Sequence, residues 1–521
     1  MIRINNIRVN IGEDAGKIKN DLALSLGLTD IKISKKSIDA RKKGDIHYVY
    51  SFDAFSDNED ALLRNKRFNI IKRDKYEYIF PTRKKLRKAP VIVGAGPAGL
   101  FAGLILAQNG YEPVILERGK CVDERIKDVE NFWSGDNLDP ESNVQFGEGG
   151  AGAFSDGKLT TNIKDPRIEK VLEEFVKHGA PEEILYLSKP HIGTDKLRNT
   201  VKSIRSEIIS LGGEVRFENC FSGFETENGS ISGIYAKSGG QTYFIDTDNV
   251  ILAAGHSARD TMYMLRDKGV RMERKPFSVG CRIEHLQETI SKSQYGNVYK
   301  QLPPADYKTA VRLSDGRSVY TFCMCPGGFV IQSASEKGRI VTNGMSNFAR
   351  GGTNANSAVL VNVTPQDFPG NDVLAGIEFQ RKIEEKAFIY GGSNYKAPAQ
   401  LVGDFLADIP SAHGGNIIPS IKPGVRWGSM NEILPDFVVN SMKEGIILMN
   451  NRIAGFAGYD AVLTAPETRS SSPVWLMRNR DTMQLNIKGL YSAGEGGGHA
   501  GGITSAAVDG IKCAEQLVLN S

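Results

Sequence analysis

An α/β architecture is expected for this chain, with a small α+β unit in front of it and a larger α+β unit inserted into it. A short apolar strand, a glycine turn and a helix follow one another over residues 90–109, and a second strand comes directly after, at 113–116. Strand, glycine turn and helix return in the same order at the far end, over residues 490–519. Between them, residues 276–487 alternate strand and helix patterns, rich in Gly and Pro and without a detectable repeat. The size agrees, since 521 residues correspond to about three domains or lobes.

Apolar residues make up 40% and charged residues 24%. That balance supports a sizeable core and excludes a disordered or fibrous chain. The longest apolar candidate, Leu100–Ala107, is far short of the roughly 18–20 residues of a membrane span. The start, MIRINNIRVN, has no secretory apolar region, so a cytoplasmic location is expected. Six cysteines without a CxxC are too few for a disulfide scaffold, and reduced thiols are expected. The net charge of +4 is unevenly placed: residues 1–90 carry 21 Lys+Arg against 12 Asp+Glu, and the remainder is acidic on balance. Either this front end meets an anionic partner, or it is a well-solvated small domain followed by a charged linker. The second is the more common arrangement.

In the front segment, residues 2–9 alternate like a strand, and Asp14–Leu26 sets Ile18, Leu22 and Leu26 at helical spacing. Ile31–Ala40 and Ile46–Phe55 read as strands around Lys43-Gly44-Asp45, followed by a polar helix at Asn58–Arg67 and a strand near Ile70–Tyr78. The order β-α-β-β-α-β predicts a small ferredoxin-like α+β domain over residues 1–85. Pro81–Lys88, with Arg83, Lys84, Lys85, Arg87 and Lys88, reads as a linker.

The chemistry begins at VIVGAGPAGLFAGLILAQNGYEPVILERG, residues 91–119. Gly94-x-Gly96-x-x-Gly99 lies between the strand Pro90–Val93 and the helix Pro97–Asn109, and the next strand ends at Glu117, 23 residues after Gly94. Gly94 permits the tight turn, Gly96 lets backbone approach a pyrophosphate, and Gly99 brings helix and strand together. The helix N-terminus offers unpaired N–H groups and a positive dipole end, and Pro97 has no N–H to lose there. Glu117 is placed to accept hydrogen bonds from a ribose diol, which excludes a 2′-phosphate but does not separate NAD from FAD. With every part of the strand–turn–helix–strand unit present, a Rossmann-like dinucleotide site is expected.

The tail favours FAD. GLYSAGEGGGHAGG, residues 489–502, runs into a helix from Ile503 to Leu519. Glu495 can bind a ribityl hydroxyl or a pyrophosphate-side water, and the Gly501-Gly502 turn leads into a helix whose N-terminus can face the flavin edge where negative charge grows on reduction. NVILAAG, residues 249–255, supplies a further strand whose Ala254-Gly255 end passes close to the cofactor.

These segments resemble a known family. The glycine fingerprint, Glu117-Arg118-Gly119, the AAG strand end and GLYSAGE are similar to the two-dinucleotide-binding-domain flavoproteins of glutathione-reductase-like fold. More narrowly, GEGGAGAFSDGKLTT (147–161), KPFSVGCRIEH (275–285), CMCPGG (323–328), TNGMSNFARGGTNANSA (342–358), LTAPETRSSSPV (463–474) and GEGGGHAGGITSAAVDG (494–510) resemble bacterial FAD-dependent dehydrogenases of unassigned substrate. The resemblance covers essentially the whole chain. It implies non-covalent FAD and oxidoreductase chemistry, and no particular substrate. His499 departs from it, since a Tyr is more usual there.

A second GxGxxG, Gly147-x-Gly149-x-x-Gly152, has neither a long apolar strand before it nor a strand-end acid after it. It reads as a loop of backbone N–H groups beside the cofactor, with Ser155, Asp156 and Lys158 as the side chains to reach it. Further candidate contacts are Ala98, Arg118, Gly150, Ala151, Phe221 and Gly494. Without a separate nicotinamide domain, the electron donor or acceptor is NAD(P)H in a shared pocket or another redox protein. Lys196–Leu211 reads as an amphipathic helix, Glu214–Cys220 as a strand, and Phe221–Thr226, Ser230–Ala236 and Gln241–Asp246 as a β-meander before the strand Val250–Ala253.

Cys121 stands alone, which argues against a dithiol–disulfide reductase. Cys323 and Cys325 would share one face of a strand, either as a redox pair or, the preferred reading, as two small buried apolar groups. His256 and Arg259 either position an anionic substrate or donate a proton at the flavin face, or else His256-Ser257 is a helix-start pair that caps the helix from Asp260. Arg350, Arg426 and Arg469 either clamp a carboxylate or cap backbone carbonyls. His178, His191, His285 and His413 share no metal-ligand spacing, so no metal is expected. No side chain is assigned as catalytic.

The expected architecture is a discontinuous FAD domain, 88–275 and 488–521, with a substrate or cap domain at 276–487. The expected function is FAD-dependent hydride transfer between flavin N5 and a small organic substrate. Two alternatives are an RNA-directed or RNA-binding flavoprotein that uses residues 1–88 and a non-catalytic flavin redox sensor.

Overall fold

Five three-residue strands make the central sheet, in the order Leu490–Ser492, Val250–Leu252, Val91–Val93, Val114–Leu116, Glu214–Arg216, and every neighbouring pair is parallel. Three of them read VIV, VIL and VIL, the continuous apolar runs that a sheet covered on both faces requires. The structure is a computed structural model, and it describes residues 1–74, 76–81 and 85–521. Arg83 and Lys84 of the expected linker lie outside the described residues.

The glycine-turn helix, Pro97–Gln108, is buried on nearly every side between this sheet and the last helix, Ile503–Asn520. Two glycines permit that packing. A Cβ on Gly99 would lie 1.9 Å from the Gly94 carbonyl oxygen, and one on Gly510 would lie 2.0 Å from that of Ala98. The strand expected over Glu214–Cys220 stops at Arg216. Glu218 adopts a left-handed conformation (φ 57°), and the amides of Glu218 and Asn219 donate to the carbonyls of Gly119 and Glu117. The chain thereby leaves the parallel sheet and restarts as Cys220–Glu227, which pairs antiparallel with Ser230–Ser238, itself paired with Gln241–Asp246.

The front unit has the expected element order. Its sheet runs Thr29–Asp39, His47–Phe55, Ile2–Asn10, Asn69–Lys72, with each neighbouring pair antiparallel. Its first helix, Ala15–Leu26, is capped by the Asp14 carboxylate, which accepts from the Gly16 amide at 2.8 Å. The second helix is only Glu59–Leu63, shorter than expected. Asn65 follows it, and its side-chain oxygen takes the amides of Arg67 and Phe68, turning the chain. The last strand ends at Lys72, and the Tyr78 hydroxyl reaches Glu515 on the last helix at 3.0 Å. The unit docks through its edge strand: the Lys36 amide donates to the Tyr186 carbonyl at 2.7 Å, and the Ser188 amide to that of Lys36 at 2.9 Å.

The inserted region carries a seven-stranded sheet in the order Ala310–Arg312, Ser318–Cys325, Asn354–Val363, Phe277–Leu286, Val462–Glu467, Ala397–Leu401, Val425–Trp427, antiparallel except for its last pair. Helices Ala375–Tyr390 and Asp436–Asn450 cover it, and Ile46 of the front unit joins the same core. The two crossings between this region and the parallel sheet lie side by side, as Met272–Arg274 pairs antiparallel with Val474–Leu476. No helix among the described residues is long and apolar enough to cross a membrane.

A buried charge network locks the two sheets together. Arg259, on the helix Arg259–Asp267, is bidentate to Glu384 at 2.8 Å on both arms and also donates to Glu336 and Gln380. Arg469 donates to the same Glu384 (3.0 and 3.2 Å) and to Ser335. Both guanidinium groups hold the Glu384 carboxyl far below the ordinary carboxylate range, against its burial. Its stabilising contribution is therefore complete above the ordinary carboxylate value of 4.5 and is lost progressively as pH falls from there through its depressed folded value. Glu384→Gln leaves two buried guanidinium groups short of charge, and denaturant unfolding at pH 7 should show a loss of about 3–5 kcal/mol.

His285 generates a pH prediction. Its ring is buried, with Nε2 2.8 Å from the Phe456 carbonyl, and burial lowers its pKa from 6.5 to about 4. In that window the unfolded chain binds a proton that the native state refuses, so stability is full above pH 6.5 and declines as pH falls. In His285→Gln, the slope of unfolding free energy against pH between 4 and 6.5 should flatten by up to about 1.4 kcal/mol per pH unit.

Candidate functional site

The turn after the first core strand is held by a buried carboxylate. Glu117 Oε2 accepts from the Ala95 amide at 2.8 Å, and Oε1 accepts from Gly119 (3.0 Å) and Gly147 (2.9 Å). The residue expected at a ribose thus also joins the fingerprint turn to the second glycine loop. Arg125, which sequence reasoning missed, completes this loop from below. Its fully buried guanidinium donates to the carbonyls of Asn143, Val144, Gly147, Glu148 and Gly150 at 2.7–3.2 Å. Burial lowers its pKa to about 9, which leaves it charged at pH 7. Gly147 (φ 118°) leaves no room for a side chain, because a Cβ would meet the Arg125 side chain at 2.4 Å.

Three glycine segments converge on the start of the helix Pro97–Gln108. Gly149 donates its amide to Ala95 O at 2.8 Å, and a Cβ on Gly96 would have one neighbour, Gly150 Cα, at 3.8 Å. Gly152 faces Ile503 at the start of the last helix, where a Cβ would lie 3.3 Å from Ile503 Cγ1. Gly494 packs on Ala98 and donates its amide to Asp509 at 2.8 Å. Gly255, with Ala254 before it, abuts Gly496, whose Cβ would lie 2.9 Å from the Gly255 amide. Glu495 accepts from the Ser472 amide at 2.8 Å and lies 4.0 Å from the Lys275 ammonium, while Gly501 crosses directly over its carboxylate. Gly96 has an ordinary φ of −78°, so the backbone does not require a glycine there. What glycine preserves is space at a helix N-terminus whose first amides, Ala98 and Gly99, have no intrahelical acceptor. Another such terminus, at Gly502-Ile503, opens beside Gly152. The arrangement fits a bound dinucleotide.

Other expected contacts have different roles. The Phe221 side chain belongs to the apolar core with Val91 and Leu116, not to the cofactor cleft. Arg118 lies over the Phe146 ring at 4.4 Å and is paired with Asp260 and Glu141. Ser155 bonds within its own loop, donating to Gly152 O and accepting from Gly157 N. Asp156, fully buried, takes a bidentate contact from Arg350 (2.5 and 3.1 Å) and a hydrogen bond from Ser346. Arg350 thus clamps a carboxylate of the protein itself. Arg426 donates to the Tyr390 carbonyl at 2.7 Å, the capping alternative. Ser257 does not cap the next helix and donates to Gln145 instead. Burial and the nearby Arg469 and Arg259 lower the His256 pKa to about 3, so it is neutral at pH 7. His499 Nε2 donates to the Leu476 carbonyl at 3.0 Å.

A second group of side chains gathers where the 155–158 loop meets the inserted sheet. Lys158 lies 3.8 Å from Asp156, and its positive charge acts on the Cys323 thiol. Behind it, the buried Arg282 pairs with Glu467 at 3.1 Å and donates to Asn356 Oδ1 and to the Cys323 carbonyl at 2.8 Å. Burial is the largest effect on Glu467; only partly offset by Arg282, it raises the pKa to about 7, a value suited to proton exchange. Arg282 and Glu467 lie within motifs quoted above, but nothing in their spacing marks them, because the strands Phe277–Leu286 and Val462–Glu467 meet only in the folded sheet. Elsewhere, Glu174, His178 and Glu207 bring ligand-type atoms within 4.8 Å of one another, which the histidine spacing did not suggest. Lys170 and Lys177 pair with these carboxylates.

Residues 276–470 match the family described as FAD-dependent protein, C-terminal domain-like, and residues 1–55 match a domain of unknown function. A protein of Clostridium beijerinckii, described as uncharacterized, is 48% identical over 528 residues that take in 99% of this chain and 98% of that one. This chain belongs to the same family as the clostridial protein. FAD is its cofactor. Similar solved structures include a triple mutant of the flavin-dependent brominase Bmp2, 10% identical with a TM-score of 0.40 over 83% of this chain and 80% of that one. Another is a flavoprotein/dehydrogenase from Cytophaga hutchinsonii, 12% identical with a TM-score of 0.38 over 83% and 79% of the two chains.

Gly96→Val tests the cleft. The backbone tolerates the substitution, so circular dichroism should stay unchanged while the Kd for FAD, read from a flavin-fluorescence titration of the apoprotein, rises at least about tenfold, a loss of about 1.4 kcal/mol in FAD binding.

Proposed function

We propose that the protein is an FAD-dependent oxidoreductase of glutathione-reductase type, exchanging a hydride between flavin N5 and a small anionic organic substrate. The observation that carries this reading is the convergence of three glycine segments around the side-chain-free Gly96, at the start of a buried helix. Gly94–Gly99, Glu117, the 147–152 loop, Glu495 and the Gly501–Ile503 turn would hold FAD, which supplies the two-electron chemistry when bound. The substrate would sit between the 155–158 loop and the inserted sheet. Lys158 offers it a positive charge, and Asp156 and Arg350 fix the loop that carries Lys158. Glu467, held near neutrality in its pKa, is the group that gives or takes a proton there, and Arg282 orients it.

The front unit is assigned a docking role, of ferredoxin-like form, not an RNA-binding one. Its edge strand is already engaged by the Tyr186–Ser188 backbone, and four of its positive side chains are matched locally: Arg3 with Asp53, Arg8 with Asp45, Lys32 with Asp30 and Arg41 with Asp39. NAD(P)H or a redox protein would serve as the second redox partner, in the cytoplasm.

Anaerobic reduction of the yellow protein with a panel of organic acids, NADH and NADPH tests this, read as bleaching of the flavin band. At least one donor should bleach it, and a protein that never takes up flavin would end the reading. With an active donor, the rate should show an ionisation near pH 7, and Glu467→Gln should abolish that ionisation and slow the step about 10²-fold.

A further inference from the structure

Two cysteines lie where the inserted sheet is irregular. Strand Ser318–Cys325 pairs with Asn354–Val363 in register down to Phe322 opposite Ala358, and resumes at Cys325 opposite Asn356. Three steps on one strand therefore match two on the other, a bulge. Cys323 occupies it with φ 43°, a left-handed conformation that favours glycine. Such a conformation in a non-glycine residue persists only where its surroundings impose it. Here Arg282 imposes it: the guanidinium donates to the Cys323 carbonyl at 2.8 Å and contacts Cys325 Sγ at 3.8 Å. Asn356, fully buried, accepts from Arg282 at Oδ1 and has an Nδ2 with no hydrogen-bond partner among the described residues.

The two thiols are unlike. Cys325 is buried, and its thiol lies 3.3 Å from the Cys323 carbonyl; Cys323 is partly exposed, beside the exposed Phe322. Hydrogen bonding from Cys325 favours the Cys323 thiolate, as do the charges of Lys158 and Arg282, while burial and Asp156 oppose it; the balance holds Cys323 well below an ordinary thiol. The Cys323 charge in turn helps to raise Glu467. Cys325 is driven the other way by the same hydrogen bond and by burial. A regular strand spaces alternate Cα atoms by about 6.7 Å, near the outer limit for a disulfide, and a bulge bends the chain. A low-pKa thiol on a partly exposed residue, beside a buried second thiol, is the arrangement of an attacking and a resolving cysteine.

We propose that Cys323 and Cys325 form a thiol–disulfide exchange site for small anionic disulfides, with Cys323 attacking and Cys325 resolving. The Cys323 thiolate attacks one sulfur of R–S–S–R; that S–S bond breaks, a mixed disulfide forms, and the departing RS⁻ takes a proton from water. Cys325 then gives up its proton, and its sulfur attacks Cys323 Sγ, expelling the second RS⁻. Two protein thiols are oxidised to one disulfide, and RSSR is reduced to two RSH. Lys158 supplies the positive charge that an anionic disulfide meets. The exchange needs no flavin, so it stands or falls apart from the function proposed above.

The test uses the full-length reduced protein with glutathione disulfide as probe, followed by peptide mass mapping of all six cysteines. Wild type should release two glutathiones per chain and carry a Cys323–Cys325 disulfide. Cys325→Ser should stop with one glutathione on Cys323, and Cys323→Ser should leave Cys325 free. The pH midpoint for iodoacetamide alkylation of Cys323 should fall below that of a free thiol, about 8.5. Lys158→Met should raise that midpoint and slow exchange several-fold. Should Cys323→Ser fail to fold, the wild-type map and midpoint still decide. No modification of Cys323 in wild type, or an alkylation midpoint of an ordinary thiol, would overturn the proposal.

Discussion

The structure depends on one buried carboxylate. Glu117 ends the second strand of the parallel sheet and takes amide hydrogens from Ala95, Gly119 and Gly147. A buried anion needs several donors in place of water, and backbone amides can supply them only if three separate turns are brought to one point. Satisfying Glu117 therefore fixes the fingerprint turn, the end of its own strand and the second glycine loop relative to one another. Arg125 solves the converse problem. Five carbonyls around one buried guanidinium give the 143–150 loop a fixed shape that contains little regular secondary structure. Anion and cation together build a cleft from backbone rather than from side chains.

Charge also joins the two large parts of the molecule. The Arg259–Glu384–Arg469 network and the Asp156–Arg350 pair both connect the part built on the parallel sheet to the inserted region. Buried ion pairs are sensitive to geometry, because a displaced partner leaves a desolvated charge behind. Such pairs favour one relative placement of the two sheets over neighbouring ones. Lys158 is carried by the loop that Asp156 anchors, so its position against Cys323 and the Arg282–Glu467 pair depends on the same contacts.

Much of the cofactor end was legible in the chain. A glycine fingerprint depends on local spacing, and the turn, the helix start and the strand-end acid all lie within one stretch of about 30 residues. The strand and helix boundaries there differ from expectation by a residue or so. Legibility fails where one side chain redirects the backbone, as Asn65 does after Leu63, or where a carbonyl partner forces a left-handed turn, as at Glu218. It fails as well for Phe221, since a residue one step beyond a strand end can face either the cleft or the core.

Local order along the chain determined that a strand, a glycine turn and a helix would open the site and that a second such element would close it, because backbone sterics and helix-terminal amides act over a few residues. The tertiary structure alone decided which charges answer one another. Glu467 and Arg282, or Lys158 and Cys323, are separated by more than 150 residues and meet only when antiparallel strands and a loop from another domain are packed together. Their chemistry follows from desolvation and from distance, and neither quantity exists before the chain has folded.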